Sequence, residues 1–229
     1  MLGLILLPAA VPAFSQATEQ EPAVTPASPQ PPADVDDRIL GIIPNYQTIE
    51  DPYLKVEPLR VNQKFMLFVK ETVDPFTFFA AAAGAGISQA QNDDPKYGQG
   101  GRAYAQRFGA AYTDIASQNF FSDALLASVL HEDPRYFRKG PEFPFWHRVG
   151  YAVSRVIVTR TDSGHRTFNF AGVGGVAMGI ALSNAYYPPR SVSGQEVAER
   201  FWTSFVAAGL GNILPEFWPD IRQKILHRK

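Results

Sequence analysis

The chain predicts an all-α fold, a compact bundle of about six or seven helices around two central helices rich in glycine and alanine; three observations predict it. Apolar residues recur at helical spacing through most of the chain after Val61. Two long stretches, Pro75 to Asn92 and Thr167 to Pro189, carry no charged residue and are built on small side chains. No strand-type alternation of comparable length occurs. At 229 residues, 45% of them hydrophobic, the chain can bury one sizeable core.

The elements follow in order. Leu2 to Phe14 is apolar and Ser15-Gln16-Ala17 has the small-x-small pattern of an export cleavage site, so residues 1–17 read as a signal peptide, although no Lys or Arg precedes Arg38. Residues 18–37, with Pro22, Pro26, Pro29, Pro31 and Pro32 among polar and acidic residues, read as an extended linker. One helical domain is expected over 38–229. It opens with an irregular wrap to Pro58, followed by a first amphipathic helix with Val61, Phe65, Phe68 and Val69 inward.

Asp74-Pro75 supplies an N-cap and an N1 proline for the uncharged helix to Asn92. Gly98, Gly100 and Gly101 break the chain before a helix with Tyr104, Phe108, Ala111, Tyr112 and Ile115 on one face. A short helix around Leu125 to Leu130 stops before Pro134, which excludes Asp133 from the α region. Val149, Val153, Val156 and Ile157 define the next helix, with His147, Arg148 and Arg155 opposite, and Thr161 to His165 reads as a turn. The uncharged Thr167–Pro189 window follows. Ser193 and Glu196 form a capping box for a helix toward Asn212, with Val197, Phe201, Phe205 and Ala208 inward; Pro215 and Pro219 separate it from a short basic helix.

Gly175 and Gly179 form a G-x-x-x-G pair, and the window predicts that Gly172, Gly175 and Gly179 face another helix, with the Pro75–Asn92 segment as partner. The same window is long enough to cross a bilayer. A buried core helix, an embedded helical hairpin and a simple span are therefore its three readings.

Composition excludes several classes. With no cysteine there is no disulfide framework, thiolate metal site or cysteine nucleophile, and 21 basic against 22 acidic residues do not suit nucleic acid. No P-loop, dinucleotide fingerprint or nucleophile elbow occurs, so neither cofactor nor metal is expected. The densest polar run is His131 to Lys139. There His131 or Glu132 could act as general base and Arg135 could stabilise a developing anion, against a simpler reading as a helix stop with solvated or paired charges. No second histidine follows at zincin spacing. Asp162, Ser163 and His165 superficially suggest a hydrolase triad, but a tight turn whose Asp162 or Ser163 caps the following helix is the simpler account. Basic and aromatic residues mix from Arg135 to Arg166. Trp146, Arg148, Tyr151 and Arg155 are the expected membrane-interface or partner-docking surface.

The runs His-Glu-Asp-Pro-Arg-Tyr-Phe-Arg-Lys, Gly-Tyr-Ala-Val-Ser-Arg, Thr-Arg-Thr-Asp-Ser-Gly, Ser-Asn-Ala-Tyr-Tyr-Pro and Glu-Phe-Trp-Pro-Asp-Ile together resemble an uncharacterised family of exported bacterial helical proteins. The resemblance covers Pro52 to Leu226. It implies one recurring domain and carries no catalytic residue with it. The expected function is a non-enzymatic exported protein of the periplasm or cell envelope that associates with a membrane surface or envelope partner. The alternatives are a hydrolase of a cell-envelope substrate using His131, Glu132 and Arg135, and an integral membrane helical assembly.

Overall fold

The computed structural model describes residues 38–51, 53, 56–93 and 95–226. The expected signal peptide and linker lie outside them. The described chain is a helical bundle with three small sheets. Its helices are α1 (Val61–Thr72), α2 (Pro75–Gln91), α3 (Gly101–Asn119), α4 (Ala127–Val129), α5 (Phe145–Ser154), α6 (Phe170–Ser183), α7 (Gly194–Gly211) and α8 (Ile213–Leu226). Between α3 and α4 the helix continues as a π-helical segment, Phe120–Leu126, so the chain from Gly101 to Val129 is one rod.

The strands are short. In the wrap, β1 (Arg38–Ile39) pairs antiparallel with β2 (Ile43–Pro44), and β3 (Thr48–Ile49) runs parallel to β5 (Tyr136–Phe137). A third sheet has the order β4 (Glu132–Asp133), β6 (Val158–Thr161), β7 (Arg166–Phe168). The expected turn at Thr161 to His165 is thus the tip of a β-hairpin, with Val158, Thr159 and Arg160 opposite Phe168, Thr167 and Arg166.

Capping follows local sequence. Asp74 Oδ1 accepts from Phe76 N–H (2.8 Å) with Pro75 at N1, and Ser193 Oγ accepts from Glu196 N–H (3.3 Å). The cap of α6 is Asn169, whose Oδ1 accepts from Gly172 N–H (2.8 Å), and neither Asp162 nor Ser163.

The core is built on small side chains. α2 packs on α3, and Ala81 and Ala85 of the one and Ala103 and Ala110 of the other are buried. Phe78 stacks on Tyr112 beside them, with ring centroids 4.8 Å apart. Glycine brings α6 equally close to its neighbours. A Cβ on Gly175 would lie 2.5 Å from the backbone nitrogen of Ser122 in the π segment, and one on Gly179 would lie 2.5 Å from the Gln118 side chain of α3. Two of the three glycines therefore face another helix. The atoms nearest a Cβ on Gly172 are those of the capping Asn169 side chain. The expected pairing of the two uncharged helices is also replaced: α6 packs chiefly on the π segment and α3, and α2 packs on α3.

Charges occupy positions that helical periodicity assigns to solvent. On α1 the buried residue is Lys64 (1% exposed), while Val61 and Val69 face outward. Lys64 Nζ donates to the carbonyls of Ala127 (3.0 Å) and Glu132 (2.8 Å) and to both carboxylate oxygens of Asp162 (2.8 Å). On α3, Arg107 is buried and donates to Ser88 Oγ (3.0 Å), Gly98 O (2.6 Å) and Asp93 O (3.2 Å), tying down the loop after α2. α8 runs through both prolines. Pro219 has no N–H to give to the turn before it, and in that turn the Glu216 carbonyl accepts from Arg138 Nε (2.8 Å) and Arg148 Nη2 (2.6 Å).

Candidate functional site

A cavity of about 320 Å³ opens where the π segment, β4–β6, the end of α5, the start of α6 and α7 meet. That volume is at the lower end for small-molecule sites. The His131–Lys139 run reaches it only in part. His131 follows the last helical turn in the left-handed conformation (φ 55°), its side chain is exposed, and its carbonyl accepts from Asp162 N–H (2.7 Å). It does not line the cavity, whereas Glu132 and Arg135 do.

Both of these side chains are already engaged. Glu132 Oε2 accepts from Ala171 N–H (2.9 Å) and the carboxylate also takes Phe170 N–H, so Glu132 is the anion at the start of α6. Burial pushes its carboxyl up, and those two amides oppose the shift. Arg135 forks onto Asp133 through Nε (2.9 Å) and Nη2 (2.6 Å) and donates to Glu57 O (2.9 Å). Asp162 is held by Lys64, and Ser163 Oγ meets His165 Nδ1 (3.0 Å) on the exposed hairpin tip. Neither the expected catalytic cluster nor the triad-like set converges on one point.

The basic aromatic surface is likewise divided. Trp146 is 78% exposed, as expected, but Arg148 is 5% exposed and points into the protein. There it donates to Glu216 Oε1 (2.8 Å) and Asp220 Oδ2 (2.6 Å), with Arg138 also paired to Asp220. Glu216, fully buried, also accepts from Tyr136 OH (2.7 Å) and Lys139 N–H (2.9 Å). Tyr151 turns inward, donating to Phe137 O (2.7 Å). Arg155 lines the cavity.

Arg155 and Asp123, which periodicity does not single out as a pair, define the chemistry of the cavity. Arg155 ends α5 with its guanidinium 4.6 Å from the Tyr151 ring centroid, and its buried Nε has no hydrogen-bond partner. Burial, reinforced by Arg166 and Arg160, lowers its affinity for its proton. Arg160 lies over the Phe137 ring at 4.3 Å, and no acid pairs with it or with Arg155 among the described residues. Asp123 sits on the π segment. Burial pushes its carboxyl up to about 6, against one hydrogen bond from Ser122 Oγ (2.8 Å). The close approach of Gly175 to Ser122 seats this segment, and π turns recur where a helix must present a functional group. The one sequence signal for Asp123 is a single acid in the otherwise uncharged run Phe120 to Leu130.

Chemically, the lining resolves into neutralised and uncompensated groups. Asp133 and Arg135 cancel, and Glu132 answers the α6 amides. Arg155 and Arg160 then share the lining with the Asp123 carboxyl, which holds or releases a proton near neutrality. Among the described residues no cluster of three His, Cys, Asp or Glu side chains could hold a metal ion. Comparison with models of protein families, with curated proteins and with solved structures gives no match to this chain.

Proposed function

We propose that this domain binds a small carboxylate or phosphate monoanion in its central cavity and exchanges a proton with it through Asp123. The observation that carries the reading is the buried, unpartnered Nε of Arg155 on the cavity wall. A buried donor without an acceptor costs about 1–3 kcal/mol, which an anionic ligand would recover. With Asp123 protonated, the uncompensated lining is cationic, so the anion favours that state. Asp123 can then return the proton as a general acid. Glu132 and Arg135 contribute as fixed walls, and His131 plays no part.

Thermal unfolding of the full chain with acetate, malonate and phosphate, at constant ionic strength, tests this. At least one anion should raise the melting temperature, more at pH 5 than at pH 8, because affinity falls as Asp123 ionises through about 6. Arg155→Met should weaken binding by about tenfold or more, the loss of one hydrogen bond to a charged group. Asp123→Asn should flatten the pH dependence. No response to any of the three, or an unchanged response in Arg155→Met, would sink the reading.

A second reading, peripheral association with a membrane surface in an exported setting, is favoured by a separate observation. Trp146, Trp202, Phe79 and Met66 are 78%, 67%, 66% and 66% exposed, while charges lie inside. Exposed apolar area on this scale suits a lipid or protein partner.

A further inference from the structure

A second, smaller cavity of about 190 Å³ lies between the β1–β3 wrap, the end of α1 and the α7–α8 junction. Glu71 is the one carboxylate among its described lining residues, and no Lys, Arg or His faces it there. Two buried acceptors on this wall have no hydrogen-bond partner: Glu71 Oε2 and Asn45 Oδ1. Asn45 is 4% exposed, and its orientation is fixed from behind. Its Nδ2 donates to Glu50 Oε1 (3.2 Å), and Glu50 Oε2 pairs with Arg222 (3.0 Å). The amide is therefore held with its oxygen left over as an acceptor.

Unsatisfied buried acceptors call for a donor or a cation. The charged groups around Glu71 do not supply one. Asp123 from the π segment and Asp74 from the α1–α2 turn both oppose its ionisation, and Arg38 forks onto Asp74. Lys70, next along α1, lies over the Tyr46 ring at 3.8 Å. A single carboxylate balances a single positive charge, and the remaining wall is neutral, which matches a monovalent rather than a divalent cation.

We infer that this cavity is a site for a small monovalent cation, an alkali metal ion or a primary ammonium group, held between Glu71 Oε2 and Asn45 Oδ1. Binding exchanges charge for charge: the Glu71 carboxylic acid releases its proton to water, and the carboxylate so formed takes the cation. Burial and the two neighbouring acids favour the protonated Glu71, so the cation competes with the proton and binds better as pH rises.

The test is thermal unfolding of the full chain at pH 8 and pH 5 in choline chloride, with potassium, sodium or methylammonium chloride substituted at constant total chloride. A rise of a few degrees at pH 8 with one of these cations, shrinking at pH 5, is expected. A response to the alkali ions alone identifies a metal-ion site, and one to methylammonium alone an amine site. Glu71→Gln and, independently, Asn45→Leu should each abolish it. Equal melting temperatures in choline and in all three cations at pH 8 would mean that the cavity holds only water and would overturn the inference. A response retained in both variants would place the cation elsewhere and overturn it as well. The outcome is separate from anion binding in the central cavity, because chloride is constant and Asn45→Leu, unlike Glu71→Gln, removes no neighbour of Asp123.

Discussion

Asp123 is a residue whose position costs the fold stability, and the sign of that cost can be measured. Its carboxyl is pushed up by burial to about 6, above the ordinary aspartate value of 3.8, so the folded state binds the proton more tightly than the unfolded chain does. Stability is therefore greatest below about pH 4, is lost as pH rises through about 6, and stays lower above it. The full cost is about 3 kcal/mol at pH 8. An asparagine in its place cannot ionise, yet its amide oxygen can still accept from Ser122. Asp123→Asn should thus be more stable than the parent by up to about 3 kcal/mol at pH 8 and no more stable at pH 4, read from urea unfolding at both. Asp123 also opposes the ionisation of Glu71, so the asparagine eases that group as well, and the difference reports the two neighbouring acids together. An equal difference at both pH values would show that Asp123 is not the group holding the proton.

At the scale of elements, helices, caps and small-residue packing were legible, while helix rotation and strand pairing were not. The Asp74-Pro75 and Ser193 starts follow from local chemistry and stand as expected. α1 and α3 are rotated from the expected faces: Phe65 and Phe68 still pack on Phe120 and Tyr112 on Phe78, but Lys64 and Arg107, bound by carbonyls from elsewhere in the chain, are buried in place of the expected Val61, Val69 and Tyr104. No periodicity rule contains those partners. For the same reason Arg148 reads as a surface residue until Glu216 and Asp220 of α8 are placed beside it. The hairpin strands are three and four residues long, too short to show alternation. Glycine positions carry the sharper prediction. Gly175→Ala drives a Cβ into Ser122 backbone, which cannot swing away, and should cost about 1–3 kcal/mol. Gly84→Ala, in the middle of α2 with nothing within 4 Å of the new atom, should instead gain about 0.5–1 kcal/mol. Chemical denaturation of the two variants side by side checks the pair; losses of equal size would mean that α6 and the π segment are not in close contact.

For the whole molecule, the governing fact is that charge and grease have partly exchanged places. Arg107, Lys64 and Glu216 are among the largest fully buried side chains, and their pairing makes that tolerable rather than favourable. Outside, Trp202, Val206 and Leu210 form one stripe on α7 at 67%, 58% and 61% exposure, and Phe79 and Ile87 lie outward on the uncharged α2. None of the described helices is long and apolar enough to cross a membrane. α6, the core of the longest uncharged window, has 14 residues, a length of about 21 Å against a hydrocarbon core of about 30 Å. If lipid covers these faces, it does so by shallow insertion, which is driven by apolar area and survives salt. A basic surface centred on Arg148 would instead be screened, and Arg148 is already paired inside the protein. Mixed phosphatidylcholine and phosphatidylglycerol vesicles should therefore shift the emission of Trp146 and Trp202 to the blue and co-sediment the protein equally at low and at high salt. The double variant Trp202→Ser, Leu210→Ser should lose the effect without losing its unfolding transition. Binding that disappears at high salt would return the role to basic side chains, and an emission spectrum indifferent to vesicles would leave these faces to a protein partner.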